Sequence, residues 1–179
     1  MRLAVAIGCG LLLAGCAAPV VTRTDVTVAA PIPARASFTL VAPPGEPAFL
    51  HQQATDMIVA GLTQRGWSRT ENGDYLLSVT LSDRPAAARL QAGDDSGSPR
   101  IVIAPAADRT TSRGCAKRDH RLAMRLTERA TGRDLYSGWG AEFHCRAGLG
   151  DSLPHLVAVT LDGLAGIRGP RVVERIGVR

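Results

Sequence analysis

Apolar residues recur at helical spacing in two parts of the chain. The first stripe runs through 47–65, and the second follows Asp151 or Ser152, either of which suits the N-cap of a helix. Pro154 fits the first turn of that second helix, and a glycine stands just beyond the end of each stripe. The spacing therefore predicts two amphipathic helices.

Alternation of apolar and polar residues predicts the strands. It is clearest over 74–83 and in two runs, 122–126 and 135–143, that flank a turn containing Gly132. These two runs form a β-hairpin in this interpretation. Matching their apolar faces places Leu122 opposite Ala141 and Met124 opposite Trp139, with Leu135 and Phe143 also facing the core.

The order of these elements predicts one α+β domain over 37–179, with two layers: an antiparallel sheet and two helices packed on one face. Short strands are expected at 37–41 and 101–103, and an edge strand at 172–173. The segment 84–100 has no periodicity and is expected to be a long, mobile loop. A length of 179 residues and an apolar content of 45% fit a single modest core.

The N-terminus has the pattern of a bacterial lipoprotein signal. Arg2 precedes an apolar run of about eleven residues, too short to span a bilayer, and the run ends in Leu13-Ala14-Gly15-Cys16. Residues 1–15 are therefore predicted to be a signal peptide, and Cys16 to be the lipidated first residue of the mature protein. The small and Pro-punctuated segment 16–36 is expected to be a flexible tether.

Lipidation fixes the expected compartment. Acyl chains on Cys16 would hold the domain on a membrane facing the periplasm. Ala17, in place of Asp, resembles the outer-membrane sorting class of enteric lipoproteins. Cys115 and Cys145 then form an isolated pair in an oxidising compartment, and a disulfide between them is expected at the open end of the hairpin.

Two alternatives remain for these cysteines. Free thiols are one, and a zinc site that adds His120 and His144 is the other. Under the expected register the two imidazoles project from opposite faces of the hairpin, which disfavours the metal. No metal and no cofactor are therefore expected.

A hydrolase motif is spelled by Gly150-Asp151-Ser152-Leu153. In the GDSL hydrolases this serine is a nucleophile that needs a histidine and oxyanion donors. Here His155 lies three positions further on, and too little chain follows Leu153 for that fold. Helix capping by Asp151 or Ser152 is favoured, and no catalytic residue is predicted.

Basic residues concentrate around the hairpin. The segment 100–133 holds nine basic and three acidic residues, in a chain whose formal net charge is +5. Arg121, Arg125 and Arg129 are candidates to bind an acidic envelope protein or anionic lipid headgroups. A solvated strand face that discourages edge pairing is an equally simple interpretation. Nucleic acid is not an expected partner outside the cytoplasm.

Several of these features together resemble a known family. The lipobox, the strand GDYLLSVTLSD after Arg65-Gly66-Trp67, and the hairpin LAMRLTERATGRDLYSGWGAEF are similar to those of the envelope lipoproteins called domain of unknown function 4136. The resemblance implies the fold and the compartment, and it brings no activity. The expected function is a non-catalytic binding or scaffolding role in the envelope. The alternatives are an ester hydrolase using Ser152 and His155, or a periplasmic metal-binding module.

Overall fold

A computed structural model describes residues 19–86, 90–92, 101–104, 118–145 and 147–177. The signal peptide, Cys16, Cys115 and much of the expected 84–100 loop lie outside these ranges. The described elements, in chain order, are β1 (Pro19–Val28), β2 (Ser37–Leu40), α1 (Phe49–Gln64), β3 (Ser68–Arg69), β4 (Tyr75–Pro85), β5 (Leu90–Ala92), β6 (Ile101–Ala104), β7 (Arg118–Glu128), β8 (Asp134–His144), α2 (Leu149–Leu161), a 3-10 helix (Asp162–Ala165) and β9 (Gly169–Ile176).

A seven-stranded sheet organises the chain, in the order β3-β2-β4-β7-β8-β1-β9. With the two helices it makes an α+β fold, which confirms the predicted class. The sheet is mixed, however, and the prediction of a purely antiparallel sheet is wrong at one edge. There β2 runs parallel to both β3 and β4, because the chain leaves β2 and returns through helix α1. Strands β5 and β6 pair separately as a two-stranded sheet.

The first strand overturns the predicted tether. Residues Pro19–Val28 form β1, which lies between β8 and β9 and is hydrogen-bonded to both. Its inward positions are buried, and they alternate as in any half-buried strand: Val20, Thr22, Thr24 and Val26. The domain therefore begins at least as early as Pro19, and the prediction of a flexible segment over 16–36 is wrong for this strand.

Helices α1 and α2 pack on the same face of the sheet and on each other. Their contact is close at Gly61, where a Cβ atom would lie 2.5 Å from Cδ1 of Leu161. The buried core beneath them consists mainly of aliphatic side chains, including Ile58, Leu77 and Leu122. Trp67 packs against Tyr75 at one margin of this core, with ring centroids 5.3 Å apart and the rings tilted by 43°. No helix in the described ranges is both long enough and apolar enough to cross a bilayer.

The hairpin exists as predicted, but its register differs by one residue. Leu122 lies opposite Gly140 and Met124 opposite Gly138, not opposite Ala141 and Trp139. A register irregularity next to Leu126 shifts the pairing near the turn.

This shift reverses the face of β8 that meets the helices. Gly138 and Gly140 lie beneath α2, and a Cβ at Gly140 would stand 2.6 Å from Cγ2 of Val159. Trp139, which was expected inside, therefore belongs to the opposite face of the sheet, whereas Leu135, near the turn, is in the buried core as predicted. On that face Trp139 packs under the guanidinium of Arg121.

Helix α2 starts three or four residues earlier than predicted from Asp151 or Ser152 as the N-cap. Its N-cap is Gly148, and the carboxylate of Asp151 accepts a hydrogen bond of 2.8 Å from the Gly148 amide. Asp151 and Ser152 are thus both inside the helix, so the predicted N-cap is wrong, although the Asp151 side chain takes part in capping from the third helical position. The helical segment closes at Gly166, whose φ of 90° favours glycine.

Candidate functional site

A buried cluster of polar side chains lies where α2 crosses the ends of β7 and β8. Ser152 on α2 has its Oγ 2.8 Å from Nδ1 of His120 and 2.9 Å from Nε2 of His144. The two imidazoles stack with centroids 4.9 Å apart, and all three side chains are 0–1% exposed. The prediction that the histidines face opposite sides of the hairpin is wrong, because it depended on the shifted register.

Glu142 is the charged centre of this cluster. Its carboxylate accepts hydrogen bonds from Nε2 of His144 at 2.9 Å and from Oγ1 of Thr22 at 2.6 Å. Arg175 on the edge strand β9 binds it with two nitrogens, at 2.7 and 3.1 Å. This bidentate geometry is the strong form of the Arg–carboxylate pair.

The partners of Glu142 outweigh the cost of its burial. Desolvation alone would raise the pKa of the Glu142 carboxyl, but the hydrogen bonds from His144, Arg175 and Thr22 lower it to about 2. Glu142 is therefore ionised at every physiological pH, although its side chain is fully buried.

His120 occupies the other end of the cluster. Burial lowers the pKa of its imidazole, and the neighbouring His144 lowers it further, while Asp83 and Glu142 act in the opposite direction. Its Nε2 lies 3.6 Å from Oδ1 of Asp83. These neighbours fit a neutral ring. Its Nδ1 accepts a hydrogen bond from the Ser152 hydroxyl, and its Nε2 carries the hydrogen.

The cluster has the groups of a nucleophilic site but not its access. A serine, a histidine and a glutamate side chain are hydrogen-bonded one to the next, as in hydrolases that activate a hydroxyl. Oγ of Ser152 is not exposed to a substrate, because the serine is fully buried under α2. A cleft of about 470 Å³ lies at the far end of the sheet, beside Tyr75 and Glu128.

The pair proposed for a hydrolase is not formed. His155 is exposed on α2, whereas Ser152 faces inward to His120 and His144. One member of the alternative metal set, Cys115, lies outside the described residues. Within the described residues, no three His, Cys, Asp or Glu side chains are placed to hold an ion. Cys145 directly follows β8, and Cys115 lies outside the described residues, so their disulfide stays a prediction.

The three arginines singled out from the sequence do not share one surface. Arg121 is half-buried over Trp139, 4.0 Å from the ring centroid, and burial lowers the pKa of its guanidinium. Arg125 is on the same face of β7, and its Nε lies 3.4 Å from Asp134. Arg129 lies beyond the strand, where it donates to the Gly73 carbonyl. The first two remain candidates for an anionic partner, whereas Arg129 ties β7 to a neighbouring loop.

Comparison with known proteins gives a fold and no activity. No family model matches the chain, and no curated protein matches it. A PDZ domain protein from Parabacteroides distasonis is similar in structure, with 13% identity and a TM-score of 0.54, over 87% of this chain and 38% of that protein. A PelC dodecamer from Paraburkholderia phytofirmans, also 13% identical, has a TM-score of 0.48 over 80% of this chain and 96% of its own. At these identities the likeness to the PDZ domain protein concerns the fold alone.

Proposed function

We propose that this chain is a lipid-anchored protein of the bacterial cell envelope that binds or scaffolds other components and catalyses no reaction. The observation that carries the proposal is the tetrad Leu13-Ala14-Gly15-Cys16 at the end of an apolar run that Arg2 precedes. Acyl chains on Cys16 supply the membrane affinity, and the folded domain remains in the periplasm. The outer membrane is favoured over the inner one by Ala17.

The polar core supports a non-catalytic role. A hydrolytic serine must meet its substrate, and the complete burial of Ser152 argues against that use. The binding role is assigned to the face of the sheet that the helices leave uncovered, where Arg121 and Arg125 supply positive charge. An acidic envelope protein or anionic headgroups fit this charge. A disulfide between Cys115 and Cys145 belongs to the same proposal, since the periplasm is oxidising.

The anchor is tested by Cys16→Ser, with Cys9→Ser as the matched control inside the apolar run. The Cys16 variant should leave the membrane fraction, and the Cys9 variant should stay in it. Mass spectrometry of the natural product should find acyl chains on Cys16 at the N-terminus. A Cys16→Ser protein that still floats with membranes, or a mature chain that starts elsewhere, would contradict the anchor.

The binding face is tested by crosslinking in intact cells. The double variant Arg121→Ser and Arg125→Ser should fold, because it removes one contact with Trp139 and one exposed ion pair but no residue of the buried core. It should lose salt-sensitive crosslinks to acidic partners, because it removes two positive charges from this face. Arg69→Ser, on the exposed strand β3, is the control. Identical crosslinks in all three proteins would make this face a solvated surface and nothing more.

A further inference from the structure

We propose that the end of the sheet formed by Pro19 and Ile176 rests on the lipid surface, so that the strands stand away from the membrane. This inference depends on the lipid anchor proposed above. Only Ala17 and Ala18 separate Cys16 from the first residue of β1. Three fully extended residues span about 11 Å at most. A lipidated Cys16 therefore holds Pro19 within about that distance of the headgroups.

The register shows which other residues share this end. Pro19 pairs with Ile176, and Val20 pairs with Arg175 on β9. Toward the other edge of the sheet, Arg118 at the start of β7 pairs with His144 of β8 and with Pro85 of β4. The end of every long strand therefore lies in one row, and the short link to Cys16 leaves from that row.

The chemistry of this row suits a bilayer interface. Ile176 is 85% exposed and pairs with the exposed Pro19, so two apolar side chains meet solvent at this end of the sheet. Arg118 is a partly exposed cation in the same row and is paired with Asp83 at 2.7 Å. Arg118 on β7 and Ile176 on β9 are three strands apart, about 14 Å, so both an apolar side chain and a cation of this row can lie among headgroups.

The opposite end of the sheet then faces the periplasm. Strand β4 has 11 residues, so its first residue, Tyr75, is about 35 Å from the membrane row. Phe49 is 80% exposed and is the rival contact point. Phe49 is two residues before His51 in α1, and Nε2 of His51 lies 3.0 Å from the Val79 carbonyl. Val79 is about 20 Å from Pro85 along β4. Upright and side-on orientations therefore bring different residues to the lipid.

Tryptophan quenching by brominated lipid distinguishes the two orientations. The lipidated protein, purified from membranes, is reconstituted into vesicles of phosphatidylcholine and phosphatidylglycerol with brominated acyl chains. Ile176→Trp adds a reporter to the proposed contact, and Val172→Trp is the matched control. Both positions are exposed on the same side of β9, and they are about 13 Å apart. Phe49→Trp reports the side-on orientation.

The added emission of the Ile176→Trp protein should be quenched several-fold more than that of the other two variants, after subtraction of the parent signal. Equal quenching at Ile176 and Val172, or stronger quenching at Phe49, would overturn the proposed orientation. Vesicle flotation is measured on the same samples. A protein that does not float refutes the anchor itself, whereas a floating protein without preferential quenching refutes only the orientation.

Discussion

The replacement Glu142→Gln tests the buried cluster most directly. Glutamine keeps the volume and one carbonyl oxygen of the side chain but removes its charge. Arg175, whose side chain is only 18% exposed, then loses its counterion, and His144 and Thr22 lose a charged acceptor. Removing one partner of a buried pair costs about 3–5 kcal/mol, because the other charge stays buried and uncompensated. We expect a loss of unfolding free energy of this size at pH 7.

The pH dependence of that loss gives a second, independent test. The pKa of Glu142 is about 2 in the folded protein, against an ordinary value of 4.5. Because the unfolded chain binds this proton first, the stabilisation is complete above about pH 4.5 and is lost as the pH falls toward 2. The difference corresponds to about 3 kcal/mol. The stability gap between the parent and Glu142→Gln should therefore shrink by that amount across the same window.

Urea unfolding followed by circular dichroism measures both quantities. The matched control is Glu174→Gln, an exposed position on β9 that neighbours Arg175 in sequence. The control should change the unfolding free energy by no more than about 0.5 kcal/mol. The reasoning is refuted if Glu142→Gln costs no more than the control, or if its gap from the parent is the same at pH 6 and at pH 3.

Three further predictions concern the same region. The parent should lose stability below about pH 6.5, since the buried His120 ring has a lowered pKa and the ring in the unfolded chain takes up a proton first. His120→Gln should show a smaller loss of unfolding free energy over the same pH range, and identical pH profiles of the two proteins would contradict this. Gly140→Ala should cost about 1–3 kcal/mol by overpacking, and adding Val159→Ala should restore part of the lost Tm; an unchanged Tm for Gly140→Ala would disprove the close contact. Ser152→Ala should cost about 1–3 kcal/mol because both imidazoles lose a partner; loss of a measurable esterase activity in this variant would instead support a hydrolase.

Strong periodicity made the main elements predictable from the sequence. Helix α1, strand β4 and the hairpin were all expected, since each repeats apolar residues at one period. An edge strand at the C-terminus was expected only at 172–173, whereas β9 spans Gly169–Ile176. Strand β1 was missed although its inward residues alternate. Two of those residues are Thr22 and Thr24, and a composition rich in small residues and proline suggested a tether. The alternation was therefore present in the sequence, but two of its four inward residues are polar threonines.

The cluster was not predictable by the same reasoning. Its two histidines and Ser152 were noted individually, but the register assigned the histidines to different faces. Glu142 and Arg175 were not singled out, because a charge in an alternating strand is ordinarily assigned to solvent. Alternate residues of a strand share a face, so Glu142 lies on the same face of β8 as Gly140 and His144, which is the face that the helix covers.

The glycines and the buried charge of β8 together determine which of its faces packs against α2, a choice that the pattern of apolar residues alone left ambiguous. A one-residue slip would bring Trp139 beneath α2. There a side chain would meet Tyr136 and the Thr160 carbonyl at the position of Gly138, and the Val159 side chain at the position of Gly140. The same slip would carry Glu142 to the open face and leave Arg175 without its carboxylate. Both penalties act against the same error, which is how a buried ion pair specifies structure even where it adds little stability. Since β1 is bonded to both β8 and β9, its own register follows, and with it the end of the sheet from which the chain leads back to Cys16.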